Sequence, residues 1–289
     1  MARLRFLLDN SGFDAATLTA SSQAAGFPAS NLQDQFRTRQ WRTTGCTSEY
    51  VDIDFGEEAY VSGLALVNHN LSVTGAVTVT AGTSIGDDSL LSVGFDAVEP
   101  ALGVGEGGIG EHGFGGYLTE EEIAKYSTDP VAIYYFPGTS ARYWRVAFQD
   151  ADNSEGYIAV GRMILCEVLD SSRLPSQGVR FVPVDETHRR TKRSLGGQKW
   201  SNRQPRYRRL EINLQYIPPT SVWWDIVAML REVGTSWDFV TDYALEAGGD
   251  EQSMDFWVGC IYGRLVNNEG VSLTNPHYGH ARMIIEESL

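Results

Sequence analysis

Between residues 50 and 165 the chain repeats one pattern: short runs with apolar side chains at every second position, broken by Gly, Asn or Asp. Residues 50–55 (YVDIDF) put Val51, Ile53 and Phe55 on one face. Residues 76–81, 131–136 and 143–148 alternate likewise, while 61–68 and 157–165 are continuous apolar runs. A period of two is the period of a pleated strand. Short strands at this spacing predict an antiparallel sandwich or barrel. One short helix fits, at 119–123, with Thr119 as cap and Glu122 completing the capping box. Residues 86–127 interrupt the strands as an acidic, Gly-rich insert. Its stretch GVGEGGIGEHGFGG (103–116) would lose too much backbone entropy in a regular element, so a loop is expected there.

Charge divides the chain. Residues 1–170 hold nine Lys and Arg against 23 Asp and Glu, which accounts for the whole net charge of -14. Residues 171–289 hold 14 of each. Ser, Pro and Gly cluster at 171–177, as linkers do. Two domains are expected, a β-sandwich at 1–170 and a second domain at 178–289, a usual count for 289 residues. The second domain reads as α+β. Strands are expected at 178–184, 208–216, 237–241, 255–265 and 278–286. One main helix is expected at 221–233, where Val222, Trp223, Ile226, Val227 and Leu230 recur at helical spacing before Gly234.

Several chemistries lack their residues. No apolar run approaches 18 residues, so no membrane insertion is expected. The opening MARLRFLLDNSG has no apolar region of signal-peptide length. Cys46, Cys166 and Cys260 are far apart, which excludes a disulfide framework and a cysteine-only zinc site and points to a reducing compartment. Gly105, Gly107 and Gly110 match GxGxxG, but without the flanking strand and helix a dinucleotide site needs. Asp150, Asp152, Asn153 and Ser154 offer oxygens, yet Glu155 occupies the position a calcium loop gives to Gly, so a plain turn is expected. Of the five histidines, His277 and His280 are close but lack a third ligand, and His69 reads as a hydrogen-bonded loop residue. No cofactor, metal site or catalytic constellation emerges, and the chain is not expected to be an enzyme.

The strongest local signal is basic. Residues 188–210 carry nine positive charges and no acidic residue, with Gly196 and Gly197 at mid-stretch. A hairpin at 188–209 is expected. Trp200 and Tyr207 would suit base stacking, but sequence-specific nucleic-acid binding is disfavoured beside a net charge of -14. An apposed acidic surface on another copy fits better. The expected assembly interface is Arg189, Arg190, Lys192, Arg193, Lys199, Trp200 and Arg203.

Residues 27–32 (FPASNL), 41–44 (WRTT), 50–56 (YVDIDFG), 61–72 with His69-Asn70-Leu71-Ser72, 143–146 and 158–165 together resemble a discoidin-type (coagulation-factor C-type) jelly roll. Their order is also similar to virion proteins of tailed bacteriophages. Residues 178–289 resemble the ring-forming domain of distal tail proteins of long-tailed phages. The resemblance implies a structural protein of the tail tip, a homo-oligomeric ring that joins the tail tube to the host-recognition apparatus and contacts tail-tip hub proteins. It would be assembled in the bacterial cytoplasm and located in the virion. The alternative is a carbohydrate-binding adhesion module, because discoidin-like domains bind sugars through loops at one end of the sandwich. The loop residues expected there are Trp41, Arg42, His69 and Asn70, and the partner would be a host-surface glycan.

Overall fold

The computed structural model describes residues 3–72, 74–96, 131–171, 179–185, 192–193, 197–200, 206–217, 228, 231, 234–244, 260–266, 271–275 and 278–288. The chain is mainly β, as expected, and its sheets are built of antiparallel pairs such as Glu49–His69 with Val131–Gln149 and Arg206–Ile217 with Tyr278–Glu287. It forms two compact units: Met1–Asp170 with Asp242–Cys260, and Ser171–Thr241 with Ile261–Leu289. Asp242–Ala244 and Cys260, read from sequence as part of the second domain, thus group with the first.

The first unit begins with β1 (Arg3–Leu7), α1 (Ser11–Ala15), β2 (Thr17–Ala20), a 3-10 turn (Ala29–Gln33) and β3 (Trp41–Arg42). It continues with β4 (Glu49–His69), β5 (Ala76–Gly82), β6 (Leu91–Asp96), β7 (Val131–Gln149), β8 (Ala159–Cys166) and β9 (Val168–Ser171). The expected strands 50–55 and 61–68 are one strand, β4. Residues 131–136 and 143–148 likewise join in β7. Both long strands bend. The β4–β7 register shifts between Asp54 and Ala59 and again between Val61 and Gly63. At the first bend Gly56 takes φ 80°, a left-handed conformation that a side chain would resist, and its N–H donates to Asp54 Oδ1 at 2.8 Å. Two layers result. The first halves of β4 and β5 flank the end of β7, with β2 and β6 outside them. The second half of β4 lies between β8 and the start of β7, with β3 beyond β8.

Between the layers lies one apolar cluster. Val51, Ile53, Val77, Val79, Trp144, Val146 and Phe148 come from one layer, and Leu64, Leu66, Val160, Met163 and Leu165 from the other. Strand alternation, which sends every second side chain inward, accounts for all of these but Val160; β8 is buried along its whole length, so residues of both parities are covered there. Helix α1 closes one flank with Phe13, which is fully buried. Asn10 pins it there: its Nδ2 donates to Met163 O at 3.0 Å and its Oδ1 accepts from Leu165 N at 2.9 Å. An added Cβ at Gly161 would overlap the Arg37 carbonyl oxygen, so the close approach of β8 to that loop requires glycine.

Residues 91–96, expected to belong to a loop insert, instead pair as β6 along the whole of β5. Val93 and Phe95 alternate with polar residues and pack on the core, and Phe95 lies 4.8 Å from the Tyr134 ring. The rest of the insert, with the glycine stretch 103–116 and the expected helix 119–123, lies outside the described residues, as does most of the linker 171–177.

In the second unit β10 (Val179–Asp185), β13 (Arg206–Ile217), β17 (Tyr278–Glu287), β15 (Ile261–Leu265) and β14 (Asp238–Ala244), of which Asp238–Thr241 belong to this unit, are paired in that order. Strand β16 (Val271–Asn275) also pairs with β17. Strands β11 (Lys192–Arg193) and β12 (Lys199–Trp200) form a separate two-stranded hairpin, with Gly197 between them at φ 83°. Leu210, Ile212, Leu214, Phe239, Val240, Ile261, Met283 and Ile285 are buried. Of the expected helix 221–233, only Ala228 and Arg231 are described. Both are helical and exposed, and Gly234 follows at φ 55°. The face of Trp223, Ile226, Val227 and Leu230 lies outside the described residues, as do the ring-forming contacts read for this domain.

The basic run does not stand free of acid along its whole length. Arg206 meets Asp185 at 3.1 Å, Arg208 meets Glu287 at 2.6 Å, and Arg209 pairs with Glu286. Strands β10 and β17 bring these acids alongside β13 from far away in sequence, which a local count of charge does not register.

Candidate functional site

One end of the first unit gathers the segments 21–27, 42–49, 69–75 and 150–159. Turn residues there are tied down by buried polar groups. The Asp150 carboxylate accepts from Ser72 N at 2.8 Å, from Asn153 Nδ2 at 3.0 Å and from the Ser72 hydroxyl. Backbone bonds Asn153 N to Asp150 O (3.1 Å) and Gly156 N to Asn153 O (3.0 Å) complete the turn. Asp150 therefore serves the turn.

Four residues were expected to form a ligand loop here. The structure separates them in pairs. Trp41 is fully buried, with its ring 5.9 Å from Phe148 and its Nε1 donating to Ser22 O at 3.2 Å. His69 is buried too, and its Nδ1 accepts from Leu71 N at 3.2 Å. Neither reaches the surface. Their successors Arg42 and Asn70 are half-buried: Arg42 faces the other side of β3 from Trp41, and Asn70 lies just past the end of β4.

Arg42 is half-buried between two rings. Its guanidinium carbon lies 4.2 Å from the Phe27 ring centroid and 5.2 Å from that of Tyr157. Backbone bonds fix this stack. Ala24 N donates to Arg42 O (2.7 Å) and Arg42 N to Phe27 O (3.3 Å), while Thr43 N donates to Ile158 O (2.9 Å). The Arg42 Nε and Nη2 donate to Gln40 Oε1 at 3.3 and 3.1 Å.

Asn70 organises the other side. Its Oδ1 accepts from Ala159 N (2.7 Å), and its Nδ2 donates to Tyr157 O (2.9 Å) and to Glu155 Oε2 (3.0 Å). The Tyr157 hydroxyl, and after it the Asn70 amide, hold the exposed Glu155 carboxyl below its ordinary value, with a smaller effect of Arg42. The same bond to Glu155 raises the Tyr157 phenol. Phe27, Arg42, Asn70, Glu155 and Tyr157 thus make one surface: two ring faces, a fixed cation and a fixed carboxylate.

Phe27, Gln40, Glu155 and Tyr157 were not expected as site residues. Tyr157 was read as the first residue of a strand, but β8 starts at Ala159 and leaves it in the loop. Glu155 was noticed only as a residue that spoils a calcium loop. The expected assembly residues Arg189, Arg190 and Arg203 lie outside the described residues, and Lys192, Arg193, Lys199 and Trp200 are placed only as the backbone of the β11–β12 hairpin.

Burial drives the His69 imidazole down to about 4, against a smaller opposing pull from Asp150. An unfolded histidine titrates near 6.5. The unfolded chain therefore binds the extra proton first, and stability falls as pH drops from about 6.5 to about 4. The loss expected from this group is about 3 kcal/mol. A urea-denaturation series across that range should show the decline in the native chain and a markedly shallower one in His69→Gln.

No protein-family model and no curated protein matches the chain. Solved structures to which it is similar include the lectin domain of lectinolysin complexed with Lewis B antigen, at 14% identity and TM-score 0.37, covering 55% of this chain and 96% of that one. Another is chitosan-binding module 1 from a chitosanase/glucanase of Paenibacillus sp. IK-5, at 17% identity and TM-score 0.35, covering 54% and 98%. A third is the CBM32 of AlyQ in complex with 4,5-unsaturated mannuronic acid, at 18% identity and TM-score 0.34, covering 52% and 92%. These are lectin and carbohydrate-binding domains.

Proposed function

We propose that the first unit is a carbohydrate-binding module that holds a saccharide on the surface made by Phe27, Arg42, Asn70, Glu155 and Tyr157. One observation carries this reading: half-buried aromatic rings lie beside a fixed donor and a fixed acceptor at the loop end of the sandwich. A sugar ring has an apolar C–H face that packs on an aromatic ring, and an edge of hydroxyls that both donate and accept. A mostly apolar surface with a few oriented polar groups suits it. The turn beneath is held by Asp150, Asn70 and Asn153, so little ordering is left to binding. The full chain should bind at least one class of saccharide on a glycan array, and Tyr157→Ala should weaken that binding about tenfold or more, the equivalent of one lost stacking contact. Absence of any saccharide binding, or undiminished binding by Tyr157→Ala, would overturn the reading.

A second reading is a structural ring subunit at the tip of a phage tail, within the virion, with the saccharide surface projecting outward. The hairpin β11–β12 favours it. A lone two-stranded hairpin is marginal in water, and added strands from another copy would stabilise it. A ring requires a discrete multiple of the 31.9 kDa mass in light scattering, whereas a monomer at every concentration removes this reading.

A further inference from the structure

Several arginines of the first unit hold a carboxylate within 4 Å, among them Arg5 with Asp170, Arg39 with Asp34, Arg142 with Asp54, Arg145 with Asp52 and Arg162 with Asp14. Arg42 is different. Its Nε–Nη2 edge, which Arg142 and Arg145 offer to an aspartate, is offered to the amide oxygen of Gln40. The grip has the same two donors, but the acceptor is neutral. Arg42 is thereby oriented without being discharged, and it has no ion pair among the described residues. In a chain of net charge -14, acids are abundant, so a neutral partner at this one surface stands out.

Resting on the saccharide reading above, we propose that this surface takes a sugar whose pyranose ring carries a carboxylate, with the carboxylate on the open edge of Arg42 and the ring against Tyr157. A guanidinium fork matches a carboxylate in two parallel hydrogen bonds, and stacking between rings leaves it weakly hydrated and ready to pair. Glu155 does not act as the counter-ion. Its carboxylate is engaged first by the Tyr157 hydroxyl and then by the Asn70 amide, and Arg42 acts on it only as the smallest of the influences that lower it. Its role is to fix the Tyr157 ring. The same chemistry occurs in a hexuronate chain and in a sialic-acid terminus.

Calorimetric titration of the full chain tests this with four probes: trigalacturonate, its methyl ester, sialyllactose and lactose. At least one acid should bind tenfold or more tightly than its neutral counterpart. Preference within the first pair assigns a uronate, and within the second a sialic acid. Gln40→Glu preserves the acceptor position but cancels the Arg42 charge. It should erase the preference, and Arg42→Gln should erase it as well. Equal binding of acid and neutral probes, or a preference that survives in both folded variants, would overturn the carboxylate assignment and leave the saccharide reading standing. If no saccharide binds at all, both fall.

Discussion

Trp41→Ala should cost the first unit about 3–5 kcal/mol of stability, the usual range for deleting a fully buried Trp. The residue has no exposed surface, packs on Phe148 and donates its indole N–H to Ser22 O. Truncation removes its apolar area from the core, leaves a cavity between β3 and β7, and strips Ser22 of a donor. In urea denaturation the midpoint of this unit should drop sharply. Had Trp41 been a ligand contact, the change would instead leave stability within about 0.5 kcal/mol and remove binding alone.

Asp14→Asn should be nearly as damaging, at about 3 kcal/mol, because it strands a buried cation. Arg162 is 2% exposed, and its Nη1 and Nη2 both meet the Asp14 carboxylate at 2.7 Å. Its remaining contact to Leu32 O is long, at 3.4 Å, and its Nε has no partner among the described residues. Without the Asp14 charge, nothing offsets the desolvation of the guanidinium. The double variant Asp14→Asn, Arg162→Met should recover much of the loss, since an apolar side chain of similar length needs no counter-ion. A double variant as unstable as Asp14→Asn alone would show that the damage comes from α1 itself and not from the stranded charge.

The legible part of this fold is what strand periodicity carries. Val51 and Ile53, Val77 and Val79, and Val146 and Phe148 were all readable as inward-facing residues, and all are buried. Gly56 was read as punctuation between two strands. In fact its left-handed backbone turns a corner within one strand, a distinction that needs the neighbouring pairings with β7. The site was half legible for a related reason. Trp41-Arg42 and His69-Asn70 are each an inward residue followed by an outward one. Tyr157 and Glu155 gave no such signal, because their position depends on hydrogen bonds from Asn70, more than 80 residues away. The acids that pair Arg206, Arg208 and Arg209 come from other strands, and the charge run concealed them.

The most direct test of the account is to locate a bound saccharide on the protein. The sugar selected from the array should be co-crystallised with the full chain, or mapped by chemical-shift changes. Its ring should lie over Tyr157 beside Arg42, with hydrogen bonds to Arg42 or Glu155 and with Trp41 and His69 still buried beneath. A saccharide seated instead at the opposite end of the first unit, around the 83–90 turn and the bend at Gly56, or on the second unit, would contradict it.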